Sequence, residues 1–224
     1  MLGQSRVLAT HLARPRPWSV FFDATTMDVA TLWADKPAPP QTAVVMLGVT
    51  AIDNCARQPA ASAQVNVQGA IRTIDRLLEA GVVPVFISSD GVFDGTRSWW
   101  REEHKASPIL EYGRQKCAVE QHLAARSEGL IVRLPKLIED EPSSNGFLSG
   151  WIHALGQYQD MLCATDQFFT PASARDAAEA IIRLVDSRAR GVFHVAGRQR
   201  LSRRELLAHV VDEYSLFAHP IAKI

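Results

Sequence analysis

A tyrosine and a lysine with a spacing that suits proton transfer lie in the stretch Tyr112-Gly113-Arg114-Gln115-Lys116. Residues i and i+4 share one face of a helix, so both side chains can point at one bound molecule. An ammonium near a phenol lowers the tyrosine pKa from about 10, which predicts that Tyr112 acts as an acid or base near neutral pH. Alone the pattern is weak, because it also marks solvated helix faces.

A serine precedes this pair by 23 residues and follows the apolar run Val82–Ile87. In open α/β sheets ligands bind beyond the carboxyl ends of strands, which is where Ser89 is expected. The polar segment Ser88–Gly95 taken alone also fits an ordinary strand-to-loop turn. In combination, a serine that polarises a carbonyl, a tyrosine that moves the proton and a lysine that tunes the tyrosine and binds ribose form a hydride-transfer arrangement.

The elements that must position these residues alternate along the chain. Apolar runs predict strands at 19–22, 43–47, 82–87, 130–134 and 191–195, and apolar periodicity predicts helices at 2–13, 29–34, 60–80, 110–126, 174–185 and 202–213. Continuous apolar runs such as 43–47 are typical of strands buried on both faces. Because strands alternate with helices, the fold class is predicted to be α/β with a doubly wound parallel sheet. Pro84 cannot donate to a ladder and is expected near its strand's start.

Composition excludes several classes of function. The 224 residues hold 24 Lys plus Arg and 24 Asp plus Glu, which argues against a nucleic-acid partner or a polybasic membrane patch. No apolar run approaches the ~20 residues that span a bilayer. Three widely spaced cysteines without a CxxC pair predict free thiols in a reducing, cytoplasmic setting, and no metal site is predicted.

Five motifs, in order, resemble the extended short-chain dehydrogenase/reductases (the NAD-dependent epimerase/dehydratase superfamily), nearest the dTDP-4-dehydrorhamnose reductase or RmlD-like group. They are VPVFISSDGVFDG, YGRQKCAVEQHL, LIVRLPKL, DQFFTPASARDAAEAI and GVFHVAGRQRLSRREL. The similarity covers most of residues 43–213. It implies a Rossmann-type sheet that binds NAD or NADP, with a cofactor-binding domain over 1–135 and a small, mixed substrate-binding segment over 136–224.

The resemblance also implies roles for single residues. Ser89 becomes the carbonyl-polarising hydroxyl, Tyr112 the acid/base, and Lys116 the ribose-binding lysine. Asn66, in the stretch QVNVQG, would support that lysine through hydrogen bonding, and Pro135 would lie near the nicotinamide.

Substrate contacts are expected after the strand ends, since loops there carry recognition. The predicted substrate-binding residues are Asp90, Val92 and Phe93, joined by residues 136–150 and the region after Thr170. The predicted partner is a sugar nucleotide, and a homodimer remains an open alternative.

The beginning of the sequence departs from the family pattern. The family opens with a strand and a GxxGxxG turn that binds the pyrophosphate, whereas this sequence reads Met1-Leu2-Gly3 and Gly3 would be the third glycine. We therefore expect the first strand of the sheet and two glycines of the turn to be absent. Asp23 lies 20 residues after Gly3, where a ribose-binding acid would favour NAD; a strand-end turn is an equal alternative.

Two functions from different classes follow. The first is an NAD(P)-dependent reductase, or a related epimerase or dehydratase, that acts on a nucleotide-linked keto-sugar. The second is a non-catalytic regulatory or binding subunit, as some members of the family are, or an inactive gene fragment. The Ser89, Tyr112 and Lys116 set favours the enzyme, and the incomplete glycine turn favours the second class.

The glycine turn gives a direct test. The 224-residue chain is expected to bind NADH and NADPH weakly or not at all, because Gly3 alone cannot form the pyrophosphate-binding turn. Isothermal titration calorimetry measures the two affinities. Micromolar binding would show that the missing glycines matter less than this reasoning requires.

Overall fold

A computed structural model describes residues 7–139, 146–157, 161–213 and 222–223. The longer strands are β1 (Ala9–His11), β2 (Ser19–Phe21), β3 (Thr42–Val45), β4 (Val83–Ser89), β5 (Leu130–Leu134) and β10 (Gly191–His194). Two-residue strands are β6 (Leu137–Ile138), β7 (Leu162–Cys163), β8 (Phe168–Phe169), β9 (Ala172–Ser173), β11 (Leu201–Ser202) and β12 (Ala222–Lys223).

The helices alternate with these strands. The α-helices are α1 (Ile52–Arg57), α2 (Pro59–Ala63), α3 (Ala70–Glu79), α4 (Glu111–Ala124), α5 (Phe147–Gly156), α6 (Ala174–Asp186) and α7 (Arg203–Glu213). Short 3₁₀ helices span Val29–Trp33 and Asp90–Val92, and a π-helical segment spans Gln64–Gly69. None of the described helices has the length and apolarity needed to cross a membrane.

The main sheet has four strands in the order β10-β5-β4-β3, as expected of a Rossmann-type parallel sheet. β3 and β4 run parallel, with Thr42 opposite Val83. All five residues of β5 and the five central residues of β4 are buried, which is what burial on both faces requires. The predicted strands at 43–47, 82–87 and 130–134 are confirmed, and Pro84 is the second residue of β4.

The predicted helix over 2–13 is wrong in its described part. Ala9–His11 forms β1, which pairs in parallel with β2 and brings His11 Nδ1 to 2.8 Å from Ser19 Oγ. Leu8 and Leu12 have the spacing of a helix face, but they are 43% and 55% exposed, so no buried helical face forms. Pairing with β2, ten residues further along the chain, outweighs a local pattern of this kind. The predicted strand at 19–22 is confirmed.

The predicted long helix at 60–80 is present but changes geometry along its length. α2 runs into the π-helical segment Gln64–Gly69, which then continues as α3. π-Helical turns are rare and are frequently found at functional sites. Here the wide turn contains Asn66, whose side chain is 1% exposed. Gly81 follows α3 with a φ of +71°, a conformation that favours glycine.

The described residues form two compact units, each with its own core. The first contains residues up to Val132 together with Arg190–Phe193, and the second contains Arg133–Ala189 and residues from His194 onwards. Buried residues of the first core are Phe22, Ala24, Val29, Val45, Ala70, Ile74, Leu77, Val82, Phe86, Val119, Leu123 and Ile131. Those of the second are Leu148, Trp151, Leu155, Cys163, Leu206, Leu207, Val210 and Val211. The assignment of cofactor binding and substrate binding to different parts of the chain stays a prediction.

The first core depends on Leu77, a residue of α3 that is 1% exposed. Leu77→Ala should lower the free energy of unfolding by about 2–5 kcal/mol, because it leaves a cavity in a packed core. Urea denaturation followed by circular dichroism measures the change. Ile109→Ala, at a position that is 60% exposed, serves as the control and should change stability by less than about 0.5 kcal/mol. Equal effects of the two variants would contradict the assigned core.

Candidate active site

Ser89 is held at the carboxyl end of β4 by the turn that follows it. Its Oγ accepts a hydrogen bond from the Gly91 N–H at 3.1 Å and donates to Asp90 Oδ1 at 3.1 Å. The first of these bonds caps the short 3₁₀ helix Asp90–Val92. The hydroxyl is therefore fixed at the edge of the sheet where ligands of such folds bind.

α4 approaches this turn so closely that glycine is required at the contact. A Cβ at Gly113 would collide with the carbonyl oxygen of Gly91. On the other side of the turn, a Cβ at Gly91 would lie 3.4 Å from Ser89 Oγ and 3.9 Å from Tyr112 Cδ1. The structure thus brings Ser89 and Tyr112 to the same small space beside Gly91.

Lys116 lies one helical turn behind Tyr112 and is 4% exposed. Its Nζ donates to the carbonyl oxygen of Ile87 at 2.9 Å and lies 5.7 Å from the centroid of the Tyr112 ring. Gly48, which follows β3, borders the ammonium: a Cβ at Gly48 would lie 3.8 Å from Nζ. Residues from two neighbouring strand ends therefore surround the lysine head group.

The pKa values at this site differ from the sequence-based expectation. Burial raises the pKa of Tyr112 to about 12, and the nearby Cys55 and Asp90 side chains add to the effect. Burial also lowers the pKa of Lys116 to about 8, against a partly compensating attraction from Glu120. The prediction that Lys116 lowers the Tyr112 pKa is wrong for this structure, because the ammonium bonds to Ile87 and loss of water around the phenol dominates.

Asn66 also occupies a different environment from the one expected. Its Oδ1 accepts from the Val49 N–H at 2.6 Å, and its Nδ2 donates to Val49 O at 3.0 Å and to Gln115 Oε1 at 2.7 Å. The predicted hydrogen-bond support of Lys116 by Asn66 is therefore not direct, since the lysine bonds to Ile87. Asn66 instead contacts the loop and the helix that flank the lysine.

Gln115 is a residue of the site that the sequence reasoning did not select. It is 3% exposed and bonds to Asn66 from within the YxxxK stretch. The available signal was its position: around the helix axis Gln115 lies about 60° from Tyr112 and about 100° from Lys116, so its side chain points beside theirs. No property of the sequence showed that this face is buried.

The predicted substrate-binding residues fall into two groups. Asp90 keeps an accessible face, and its pKa is raised because protein atoms displace water around much of its carboxyl. Val92 is 0% and Phe93 7% exposed, and both pack with Cys117. Phe93 also stacks on Trp100 with ring centroids 4.5 Å apart. Side chains buried in this way contribute packing, so of these three residues Asp90 is retained as a substrate contact. Residues 136–150, of which 140–145 lie outside the described residues, and the region after Thr170 also stay predictions.

The cofactor-binding roles of Asp23, Pro135 and Gly3 stay predictions. Asp23 accepts from the Thr25 N–H at 2.8 Å and the Thr25 hydroxyl at 2.6 Å, and these bonds lower its pKa. This arrangement fits the strand-end turn alternative, and a ribose contact stays a prediction. Pro135 is half-buried in the second unit, and Gly3 lies outside the described residues. Nowhere in the described part of the chain do three His, Cys, Asp or Glu side chains form a group that could hold a metal.

The parallel sheet, with polar side chains gathered at its carboxyl edge, defines the class of protein as a Rossmann-type α/β fold. The chain belongs to the RmlD substrate-binding domain family, whose model matches residues 24–224.

Curated relatives include proteins with two different names. The chain is 27% identical over 169 residues to methionine adenosyltransferase 2 subunit beta of Pongo abelii, covering 71% of this chain and 50% of that protein. It is 25% identical over 187 residues to dTDP-4-dehydrorhamnose reductase of Sinorhizobium fredii, covering 80% of this chain and 63% of that protein. The chain thus spans about half the length of the first of these relatives and under two thirds of the second.

Solved structures share the fold. A hypothetical dTDP-4-dehydrorhamnose reductase from Sulfolobus tokodaii superposes with a TM-score of 0.88 at 23% identity, covering 99% of this chain and 78% of that one. The reductase of Bacillus anthracis, solved in complex with NADP, gives a TM-score of 0.77 at 23% identity, covering 83% and 66%. At these identities the likeness establishes the fold.

Burial of the Lys116 ammonium predicts a specific pH dependence of stability. The Lys116 pKa falls from 10.5 to about 8 on folding, so between these values the unfolded state binds more protons and stability rises with pH. The rise should reach up to about 3 kcal/mol. Urea denaturation from pH 7 to 10 should show it as the difference between the wild type and Lys116→Met.

A matched control removes an exposed charge instead. Lys105→Met, at an exposed position of the loop before α4, should keep the pH dependence of the wild type. A Lys116→Met variant with the same pH dependence as the wild type would mean that the ammonium is hydrated in the folded protein.

Proposed function

We propose that this chain belongs to an NAD(P)-dependent reductase of a nucleotide-linked keto-sugar, with Ser89, Tyr112 and Lys116 as the catalytic residues. The observation that carries the proposal is the grouping of the Ser89 hydroxyl and the Tyr112 ring around Gly91, with the buried Lys116 ammonium one helical turn behind. The grouping lies at the carboxyl edge of a parallel sheet, where ligands bind in this class of fold.

Reduction of a carbonyl requires a hydride and a proton. A bound nicotinamide supplies the hydride. Ser89 Oγ donates a hydrogen bond to the carbonyl oxygen once it turns from Asp90, and Tyr112 delivers its phenolic proton to that oxygen as the new C–H bond forms. The raised pKa of about 12 keeps Tyr112 protonated at neutral pH, which is the state that a proton donor needs.

Lys116 has a second task in this proposal. An ammonium has three N–H donors, and Ile87 O accepts from one of them. A Cβ at Gly48 would lie 3.8 Å from Nζ, so glycine at this position leaves that side of the ammonium without a side chain. We assign the remaining N–H donors to the ribose hydroxyls of NAD or NADP, which can accept such bonds. The positive charge also stabilises the phenolate that Tyr112 becomes after proton transfer.

The substrate class follows from the relatives. The reductase relative is named for dTDP-4-dehydrorhamnose, so we propose a keto-sugar joined to a nucleoside diphosphate, with Asp90 as a contact. Epimerase or dehydratase chemistry would use the same side chains on a similar substrate and is the related alternative.

A second candidate is a non-catalytic binding subunit. The observation that favours it is the similarity to methionine adenosyltransferase 2 subunit beta, at 27% identity over 169 residues. Such a protein would bind a dinucleotide or a sugar nucleotide without turning it over.

The test uses a protein in which the family's first strand and glycine turn precede this sequence, because that turn binds the pyrophosphate of the cofactor. Oxidation of NADPH in the presence of dTDP-4-dehydrorhamnose is followed at 340 nm. Tyr112→Phe should reduce the rate by about 10²–10⁴-fold, since it removes the proton donor. NADPH binding, measured by nucleotide fluorescence, should stay within about threefold, because the change removes one hydroxyl and little packing. Thr96→Val removes a hydroxyl from an exposed loop residue and should leave the rate unchanged.

Two other outcomes would count against this proposal. A Tyr112→Phe variant with the wild-type rate would remove this tyrosine from the mechanism. Binding of NADPH by the wild type without any oxidation of it would favour the second candidate.

A further inference from the structure

Gln115 lies at the centre of a buried hydrogen-bond network between α4 and the segment 59–69. Its Oε1 accepts from Asn66 Nδ2 at 2.7 Å. Its Nε2 donates to Ser62 Oγ at 2.8 Å and to Glu111 Oε1 at 3.0 Å. The side chains of Gln115, Asn66 and Ser62 are each at least 95% buried. Buried amides bonded on both of their ends fix the elements that carry them.

The network continues from Asn66 to the loop after β3. Asn66 bonds to both the N–H and the carbonyl oxygen of Val49. Cys55 Sγ donates to the same carbonyl oxygen at 3.3 Å. Val49 adjoins Gly48, the residue that borders the Lys116 ammonium. The hydrogen bonds therefore run from Gln115 on α4 through Asn66 to Val49, whose neighbour Gly48 lies beside the Lys116 ammonium.

Helix geometry links these hydrogen bonds to the rotation of α4 about its axis. At 3.6 residues per turn, successive residues differ by about 100° around the axis. Gln115 is thus turned by about 100° from Lys116 and by about 60° from Tyr112. When the Gln115 face is held by bonds at fixed distances, the directions of the other two side chains are set with it.

We propose that Gln115 is a positioning residue, which fixes the rotation of α4 through Asn66 and Ser62 and so directs Tyr112 and Lys116 at the reacting carbonyl and the cofactor. What those two residues do rests on the proposed function. The placement itself does not, and it can be measured without turnover.

The fold has other bonds that hold its parts when Gln115 is changed. Ser62 Oγ also donates to Pro59 O at 3.1 Å, and Asn66 Nδ2 still donates to Val49 O. A variant without the Gln115 amide therefore loses the hydrogen bonds between α4 and the segment 59–69, but the segment keeps its own local structure. Misplacement of a reacting group by about 1 Å can cost about 10²-fold in rate.

The first experiment replaces the amide by an apolar group of similar length. In Gln115→Met, α4 is released from the network and water reaches the phenol, so the Tyr112 pKa should fall towards its ordinary value of about 10. Absorbance at 295 nm up to pH 11 measures this, with the Tyr112 signal taken as the difference from the matching Tyr112→Phe protein. Gln121→Met, at an exposed position of the same helix, is the matched control and should titrate as the wild type does.

Steady-state kinetics of the same variants provides a second measurement. Gln115→Met should lower kcat for NADPH oxidation with dTDP-4-dehydrorhamnose by about 10–100-fold, with KM for the substrate changed by less than about threefold. A loss of kcat and an unchanged phenol titration would overturn the proposal, as would a wild-type titration together with a wild-type rate. These rates are measured in the protein that carries the glycine turn ahead of this sequence. If that protein has no reductase activity, the proposed function fails and the titration still decides the role of Gln115.

A second variant tests the hydrogen bonds themselves. Ser62→Ala removes the acceptor that lies 2.8 Å from Gln115 Nε2 and leaves every group of α4 in place. We expect the Tyr112 titration to shift in the same direction as in Gln115→Met and by a smaller amount, because Pro59 O and Glu111 Oε1 still accept from Nε2. A wild-type titration of Ser62→Ala would contradict the proposal, and this variant keeps the proposal testable if Gln115→Met does not fold.

Discussion

Burial of one ammonium group, that of Lys116, organises the whole candidate site. A charge that leaves water must find hydrogen-bond partners or give up its proton. The carbonyl of Ile87, at the end of β4, meets the first demand, and the lowered pKa of about 8 shows the remaining cost. The glycine at 48, the Asn66 network and the helix α4 then surround the group from three directions.

A second constraint, close contact between two backbones, places the serine beside the tyrosine. Gly113 lets α4 approach the carbonyl of Gly91, and Gly91 leaves the space that Ser89 and Tyr112 share. A side chain at Gly113 would push the helix away from the strand end, whereas a Cβ at Gly91 would make only ordinary contacts with Ser89 Oγ and Tyr112 Cδ1. Gly113, the residue after Tyr112, therefore positions the serine and the tyrosine through the absence of a side chain.

Local sequence patterns predicted most of the sheet and the identity of the candidate residues, since apolar runs and the YxxxK spacing are local signals. Predictions from these patterns were wrong where tertiary contacts determine the structure. The helix expected near Leu8 became a strand because β2 offers a partner. Val92 and Phe93 follow a strand end in sequence, yet they pack into a cluster with Cys117. The role of Gln115 depends on Asn66, 49 positions away, and spacing within one helix cannot show such a pairing.

The two shifted pKa values together define what the site can do. With Tyr112 near 12 and Lys116 near 8, both groups carry their protons at neutral pH. Tyr112 is therefore in the protonated state that a proton donor needs, but its raised pKa makes it a weaker acid than a free tyrosine. Transfer of the phenolic proton leaves a phenolate, which a positive charge close to the ring stabilises. In the proposed mechanism the placement of the Lys116 ammonium, set by α4, therefore bears on the rate of proton transfer.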